Sequence, residues 1–388
     1  MNARDRVLTT LDLKEPDHVP IFEGTIDNIA IAKEFGGKTS IQGLRKTMRA
    51  ISRVPGWRAI YSGFMKSGFV YKLGTDRLYA FNKKVGIDMV LAMSSMMLTK
   101  CKFPTWNSFV DEFGRMQRIE LYNGTDQFVY VDGFFKSREE YEAWGPVDPN
   151  HPAREQIIKH SFKMGDKHDL LVAVFLVGVV EPTWESFGFE TFSHLLYKEN
   201  SFMRKVFEDR GKFSLDLANV AMDLGAEVLF MHDDLGYKGR PFFSPRMMEE
   251  LVYPYYQRVV EAAHKRGVKV LLHSCGNIMD LVPTLVKIGF DGLNPIEPTA
   301  GMDIFEMKRK YGDRITLIGN VSPQDLATGT ADYIAAYTRR LLREVAPGGG
   351  YILASGHSIN PYVKKENYLA MLGVVKQYGT YPIHDIPS

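Results

Sequence analysis

A histidine and a cysteine stand two residues apart in residues 271–277, where a short apolar run, residues 268–272, comes to an end. Side chains two positions apart in a strand point to the same face, so His273 and Cys275 can approach one ligand together. Imidazole and thiolate are ligands that zinc prefers. The spacing therefore predicts a metal site where this strand ends, with simple packing of both side chains as the alternative.

Polar side chains also follow nearly all of the remaining predicted strands. In a (β/α)₈ barrel the loops after the carboxyl ends of the strands carry the chemistry. We predict metal ligands at His273, Cys275 and, after the last strand, His357. The other candidates are catalytic or cofactor-binding side chains. The catalytic candidates are Glu181, Asp234, Asn294 and Glu297, and the cofactor-binding candidates are His232 and Asn320.

For two of these carboxylates, Glu181 and Asp234, a structural role is the alternative to a functional one. Glu181 precedes Pro182, which favours an extended backbone and a side chain directed into a cavity, but a buried ion pair is the alternative. Asp234 precedes Leu235 and Gly236, so it is equally suited to capping a turn.

The elements that must position these side chains alternate between apolar strands and amphipathic helices. This alternation predicts a (β/α)₈ TIM barrel, with a doubly wound open sheet as its rival. The predicted strands cover residues 18–22, 87–93, 170–180, 227–232, 268–273, 289–294, 315–320 and 351–354. The predicted helices cover residues 201–224, 245–266, 278–288, 303–311 and 331–345.

Residues 102–135 interrupt the alternation. Two strand-like runs, residues 110–121 and 127–134, flank Asn123-Gly124, a dipeptide typical of a tight β-turn. We therefore expect a β-hairpin insertion in the N-terminal part of a single domain that spans residues 1–388.

Composition excludes several classes of protein. Of 388 residues, 45% are hydrophobic and 24% charged, as in ordinary globular proteins, and the formal net charge of +2 argues against nucleic-acid binding as the main role. Two cysteines cannot build a disulfide framework, so we expect a reducing cytoplasm. The N-terminus lacks an apolar signal core, and no apolar run is long enough for a membrane span.

Several motifs together resemble the uroporphyrinogen decarboxylase superfamily. They include His273-Ser-Cys275-Gly-Asn, Asn294-Pro-Ile-Glu297-Pro, Gly-Asn320-Val, and the segment of residues 349–357 that ends in Gly-His357. The resemblance covers nearly the whole chain and is most specific in its C-terminal half. It implies a TIM barrel.

The superfamily has a decarboxylase branch and a branch of zinc-dependent, corrinoid-linked methyltransferases. The arginine motif with which decarboxylases hold an acidic tetrapyrrole is replaced here by residues 22–25, Phe-Glu-Gly-Thr, and their aspartate motif by residues 93–96, Met-Ser-Ser-Met. In the methyltransferase branch the His-x-Cys pair binds zinc, which matches His273 and Cys275. A later cysteine of that branch is replaced by His357.

The resemblance thus implies a zinc-dependent methyltransferase. It would move a methyl group between a small donor, such as an aromatic methyl ether, or a thiol acceptor and a corrinoid carried by a partner protein. Decarboxylation of a tetrapyrrole and non-enzymatic corrinoid or tetrapyrrole binding are the alternatives. A homodimer is a further expectation.

Overall fold

Thirteen strands form three sheets in the computed structural model, which describes residues 1–39, 41–95, 98–384 and 386–387. They are β1 (Met89–Ala92), β2 (Lys102–Thr105), β3 (Ser108–Val110), β4 (Arg115–Tyr122), β5 (Thr125–Gly133), β6 (Leu171–Val177), β7 (Val228–His232), β8 (Gly236–Tyr237), β9 (Arg240–Pro241), β10 (Lys269–His273), β11 (Gly292–Asn294), β12 (Thr316–Val321) and β13 (Tyr351–Ser355).

Seventeen α-helices connect and cover these strands in the described part of the chain. They are α1 (Ala3–Leu11), α2 (Ile29–Glu34), α3 (Leu44–Ile51), α4 (Trp57–Lys66), α5 (Phe69–Val85), α6 (Arg138–Trp144), α7 (Pro152–His168), α8 (Glu181–Phe187), α9 (Phe189–Lys198), α10 (Asn200–Asp223), α11 (Pro245–Leu251), α12 (Tyr253–His264), α13 (Val282–Ile288), α14 (Ile304–Tyr311), α15 (Pro323–Thr328), α16 (Ala331–Glu344) and α17 (Lys365–Tyr378), with one 3₁₀ turn at Pro298–Ala300.

Seven parallel strands build a curled sheet in the order β1-β6-β7-β10-β11-β12-β13. Most of their residues are buried on both faces, because helices pack outside and side chains fill the interior. The mixed α/β class and the parallel sheet predicted from the alternation are confirmed. The predicted strands differ from the observed ones mainly at their ends.

The predicted first strand, residues 18–22, is reduced to single bridges. Ile21 pairs with Leu353 of β13, and Phe22 pairs with Met89 of β1, so this segment lies between the two edges of the sheet. Pro20 has no N–H to donate, which shortens the ladder that this segment can form.

Two predicted helices are shorter than expected because proline interrupts them. The helix predicted over residues 245–266 is two helices, α11 and α12, since Pro254 cannot continue the first and lies in the first turn of the second. The helix predicted over residues 278–288 begins only at Val282, with Pro283 in its first turn.

Residues 102–133 form a four-stranded antiparallel sheet in the order β2-β3-β4-β5, rather than one hairpin. Strands β4 and β5 do pair across Asn123-Gly124. The run predicted over residues 110–121 is broken after Val110 by a turn. Gly114 adopts a φ of +94° there, and Asp111 accepts the N–H groups of Phe113 and Arg115.

This antiparallel sheet has a small apolar core of its own with helices α3 and α4, and we call these elements the cap. The core side chains are Met48, Tyr61, Phe103, Phe109 and Ile119. A fully buried ion pair stands beside it, in which Arg154 of α7 donates to Glu112 at 2.5 and 3.0 Å. None of the described helices combines the length and the apolar character that crossing a membrane requires.

Candidate active site

Three potential metal ligands meet where β7 and β10 end. The parallel register sets His273 beside His232 on one side and beside Asn294 on the other. One ligand atom from each of His232, Asp234 and His273 can be chosen so that all lie within 4.8 Å of one another. The parallel ladder thus brings together side chains that are about 40 residues apart in sequence.

His273 is oriented by Asn294. Its Nδ1 lies 2.7 Å from Asn294 Oδ1, which can only accept, so Nδ1 carries the proton and Nε2 keeps its lone pair. Nε2 lies 3.5 Å from Cys275 Sγ and 3.7 Å from Asp234 Oδ1. Burial and then the charge of His232 lower the pKa of His273 to about 3, so the ring is neutral. A neutral imidazole held this way is the form that binds metal.

Cys275 is held as a thiol. Burial first, and then the carboxylates of Asp234 and Glu297, raise the pKa of Cys275 well above its usual value. Asp234 Oδ1 accepts the backbone N–H of Cys275 at 2.8 Å, and Glu297 Oε2 accepts that of Gly276 at 2.8 Å. Gly276 has a φ of +86°, and a Cβ there would stand 2.2 Å from the backbone of Gly236, so this close loop packing requires glycine.

The donor set fits a divalent transition metal. Nitrogen, sulfur and carboxylate oxygen are the atoms that zinc prefers. The same carboxylates that raise the pKa of the Cys275 thiol would be offset by a dication, which would stabilise the thiolate. The side chains that would hold it are His273, Cys275 and Asp234.

His232 belongs to a partly buried charge pair. Its Nδ1 donates to Glu181 Oε2 at 2.7 Å, and its ring stacks on His273 with centroids 4.3 Å apart and planes 9° apart. Burial alone would lower the pKa of His232, but the charge and the hydrogen bond of Glu181 outweigh it and raise the pKa to about 9. A protonated ring therefore stacks on a neutral one.

Asp233 fixes the loop that presents Glu181. Its carboxylate accepts the backbone N–H groups of Val179 and Glu181, at 2.6 and 2.7 Å, and the hydroxyl of Tyr256 at 2.6 Å. A Cβ at Gly178 would stand 2.1 Å from Asp233 Cγ, so glycine makes room for the carboxylate. Asp233 therefore has a structural role, while its neighbours His232 and Asp234 join the cluster.

The remaining predicted residues lie outside the His232–Asp234–His273 group. Glu297 bonds Gly276 and the Thr299 hydroxyl. Asn320 is buried, with its amide engaged by Ile296 O and the Tyr337 hydroxyl. His357 is exposed, yet its charge still contributes to lowering the pKa of His273.

The backbone expected at Glu181 is wrong. Glu181 is the first residue of α8 and Pro182 lies in the first turn, where its missing N–H costs nothing. The ion pair that was the alternative for Glu181 is present but only partly buried, since Glu181 contacts His232 and lies 3.8 Å from Arg115.

Sequence reasoning missed the cap's contribution to the site. Arg115 of β4 is buried and contacts Asp111 at 2.6 Å and Glu185 at 3.3 Å, besides Glu181. Burial, and then the charge of Glu181, raise the pKa of Glu185 to about 8. The only signal in the sequence was a charged residue inside an otherwise strand-like run, which is commonplace on an exposed strand.

An aromatic cluster flanks the charged residues. Trp184 lies three residues after Glu181 on α8, and its ring centroid is 5.4 Å from that of Tyr130 and 6.0 Å from that of Phe242. Phe189 and Tyr237 extend the cluster, and both are exposed. Within the described residues, the buried Trp184 Nε1 has no hydrogen-bond partner.

Comparison with known proteins identifies relatives of this chain. The family described as "Uroporphyrinogen decarboxylase (URO-D)" matches residues 170–378, more than half of the chain. A methylcobamide:CoM methyltransferase MtaA from Methanosarcina barkeri is 30% identical over 164 residues, which are 42% of this chain and 44% of that protein. A uroporphyrinogen decarboxylase from Neisseria meningitidis is 24% identical over 197 residues, 49% of this chain and 52% of that protein.

Each of these alignments thus spans about half the length of the curated relative. A solved structure, a methyltransferase from Methanosarcina mazei, is similar over 97% of this chain and 99% of its own, with a TM-score of 0.65 and 19% identity. At that identity the similarity establishes the fold and not the activity.

Proposed function

The chain belongs to the uroporphyrinogen decarboxylase family, and from this premise we propose that it is a zinc-dependent methyltransferase acting with a corrinoid. The observation that carries the proposal is the approach of His273 Nε2 to Cys275 Sγ and Asp234 Oδ1, at 3.5 and 3.7 Å. These are zinc-type donors, and two relatives named methylcobamide:CoM methyltransferase share the family.

The zinc ligands in this proposal are His273 and Cys275 with a third side chain. Asp234 is favoured because its oxygen already faces His273, whereas His357 is favoured by its place after the last strand. When bound, the ion would supply a Lewis acid that stabilises a thiolate or the oxygen of a methyl ether. Elemental analysis of the Asp234→Ala and His357→Ala variants decides between the two, because zinc content falls only when the residue that binds zinc is replaced.

His232 handles the proton in this proposal. A corrinoid, when bound, would supply the acceptor for the methyl group of an ether donor. The donor oxygen that keeps the electron pair of the broken bond would then need a proton. His232 is protonated because Glu181 holds it so, and it lies within the ligand cluster. Proton return by a positioned imidazolium is ordinary general acid catalysis.

Aromatic methyl ethers are the donor class that we propose. The aromatic cluster begins one helical turn from Glu181, and rings of this kind bind planar apolar ligands by stacking and edge contacts. The methyl-bearing ring of an aromatic ether would pack against these rings in the same way.

The corrinoid partner would dock on the cap. Residues 35–75, which include α3 and α4, carry eight basic side chains and no acidic one. Ile60 and Phe64 are exposed among them. A partner with an acidic, partly apolar face complements this surface. The basic side chains are Lys38, Arg45, Lys46, Arg49, Arg53, Arg58, Lys66 and Lys72.

Two assays with free cofactor test the proposal without a partner protein. Zinc-loaded protein is mixed with methylcobalamin and coenzyme M, and in parallel with cob(I)alamin and a methoxylated benzoate, and the cobalt–carbon absorbance is followed. We expect turnover in at least one assay and none after zinc is removed by a chelator. Turnover that is insensitive to the chelator, or none in either assay with one zinc per chain, would contradict the proposal.

Decarboxylation of a tetrapyrrole acid is the second candidate, because curated decarboxylases align over 49% and 42% of the chain. The charge of the site opposes it. Glu181, Asp234 and Glu297 surround the cluster, and Arg115 is already engaged by carboxylates. A substrate with eight carboxylates would meet like charge. Release of carbon dioxide from uroporphyrinogen by the metal-free protein would favour this candidate instead.

A further inference from the structure

Arg115 reaches the site from outside the parallel sheet. It belongs to β4 of the cap, and its side chain is 7% exposed. Its Nε lies 2.6 Å from Asp111 Oδ2, and its Nη1 lies 3.3 Å from Glu185 Oε2 and 3.8 Å from Glu181 Oε1. One guanidinium therefore faces three carboxyl groups, of which Asp111 and Glu185 are buried and Glu181 is partly buried.

Both carboxylate oxygens of Glu181 face a cationic side chain. Its Oε1 faces Arg115, and its Oε2 accepts from His232 Nδ1 at 2.7 Å. His232 in turn stacks face to face on His273. A continuous chain of contacts thus runs from the cap, through Glu181 and His232, to the ring that lies beside Cys275.

We propose that Arg115 is a positioning residue that holds Glu181 in place to orient His232 over His273. This inference rests on the proposed function. Without the guanidinium, Asp111, Glu181 and Glu185 would lose the cation that they share, and carboxyl groups so close together move apart or take up protons. Glu181 would then leave His232 free to rotate.

Lysine cannot replace Arg115 in this role. A guanidinium presents its N–H groups in a flat fork and can serve several carboxylates at once, whereas an ammonium is a single point of charge on a flexible stem. Arg115→Lys therefore keeps the charge but loses the geometry, which separates positioning from electrostatic stabilisation.

Arg154 supplies a matched control. It is also a buried arginine bound to a carboxylate, Glu112. Its other hydrogen bonds go to the backbone carbonyls of Asp148 and Ser94, which lie outside the His232–Asp234–His273 group. Arg154→Lys should therefore cost stability without disturbing His232.

The experiment compares both lysine variants with wild-type protein in the cofactor assays, with zinc content and thermal unfolding measured alongside. For Arg115→Lys we expect kcat to fall about 10- to 100-fold. KM should stay within about twofold, with one zinc per chain. Arg154→Lys should lower the unfolding temperature and keep kcat within about twofold.

Equal losses of kcat in the two variants, or a wild-type kcat in Arg115→Lys, would overturn the proposal. A crystal structure of Arg115→Lys gives a readout that needs no activity, so it also serves if the wild-type protein transfers no methyl group. Loss of the Glu181–His232 contact supports positioning by Arg115, and an unchanged contact refutes it. If the lysine variant fails to fold, Arg115→Met combined with Glu185→Gln removes the guanidinium together with one of its carboxyl partners and takes its place in both measurements.

Discussion

The ends of β7, β10 and β11 and the cap contribute to the same site in opposite ways. The strand ends bring donor atoms together through a parallel register, in which His232, His273 and Asn294 are direct neighbours. The cap contributes a cation, Arg115, from a sheet with its own apolar core. The candidate ligands are therefore brought together by the regular parallel sheet, whereas the balance of charge around them depends on the cap, which lies outside that sheet.

The two cysteines sharpen this comparison, since Cys275 follows β10 of the parallel sheet and Cys101 lies beside the cap core. We expect Cys275→Ser to lose zinc and methyl transfer entirely, because a serine hydroxyl stays protonated where a thiolate is required. Cys101, whose sulfur lies 3.7 Å from the Ser62 hydroxyl, should tolerate serine. Equal zinc content in the two variants would refute the assignment.

Two buried asparagines test the orientation of His273. Asn294→Ala removes the acceptor that fixes the His273 tautomer, and we expect zinc affinity to fall about 10- to 100-fold. Asn320→Ala is the control, because Asn320 is equally buried and bonds Ile296 O and Tyr337 instead. Zinc titration with a competing chelator measures both, and a weaker site in Asn320→Ala alone would point to a different ligand set.

Glu23 tests whether the segment between the sheet edges tolerates charge. Burial raises the pKa of Glu23 from 4.5 to about 8, although Ser355 donates to it. Between these values the folded state keeps a proton that the unfolded state releases, so stability falls as pH rises, by at most about 1.4 kcal/mol per pH unit.

We therefore expect the advantage of Glu23→Gln in unfolding free energy to grow from pH 5 to pH 8 and then to level off. Denaturant unfolding at several pH values measures it. An advantage that does not change with pH would show that Glu23 is ionised in the folded protein.

Charge reversal on the cap should have the smallest effect. Lys46→Glu with Arg53→Glu, two exposed positions, should raise KM for a corrinoid-carrying protein about tenfold at low salt. Turnover with free methylcobalamin should not change. The effect should shrink as salt rises, because exposed charges are screened. The control is the same charge reversal at Lys265 and Arg266, which directly follow α12 and are not part of the cap.

Much of this protein could be predicted from its sequence, because regular elements have local causes. Apolar runs between stretches of helical periodicity predicted the parallel strands to within a few residues. The His-x-Cys spacing predicted that His273 and Cys275 approach each other, and His273 Nε2 lies 3.5 Å from Cys275 Sγ. Pro254 and Pro283 set helix bounds by an equally local cause, since each lies in the first turn of its helix.

Only the tertiary structure could show which distant side chains meet. Register between strands paired His273 with Asn294 and His232, and the packing of the cap brought Arg115 to Glu181. A buried charge is tolerable only when its partners are fixed around it, and those partners come from separate parts of the chain. Sequence therefore determined the donor types and the strand ends, while three-dimensional packing decided their partners and protonation.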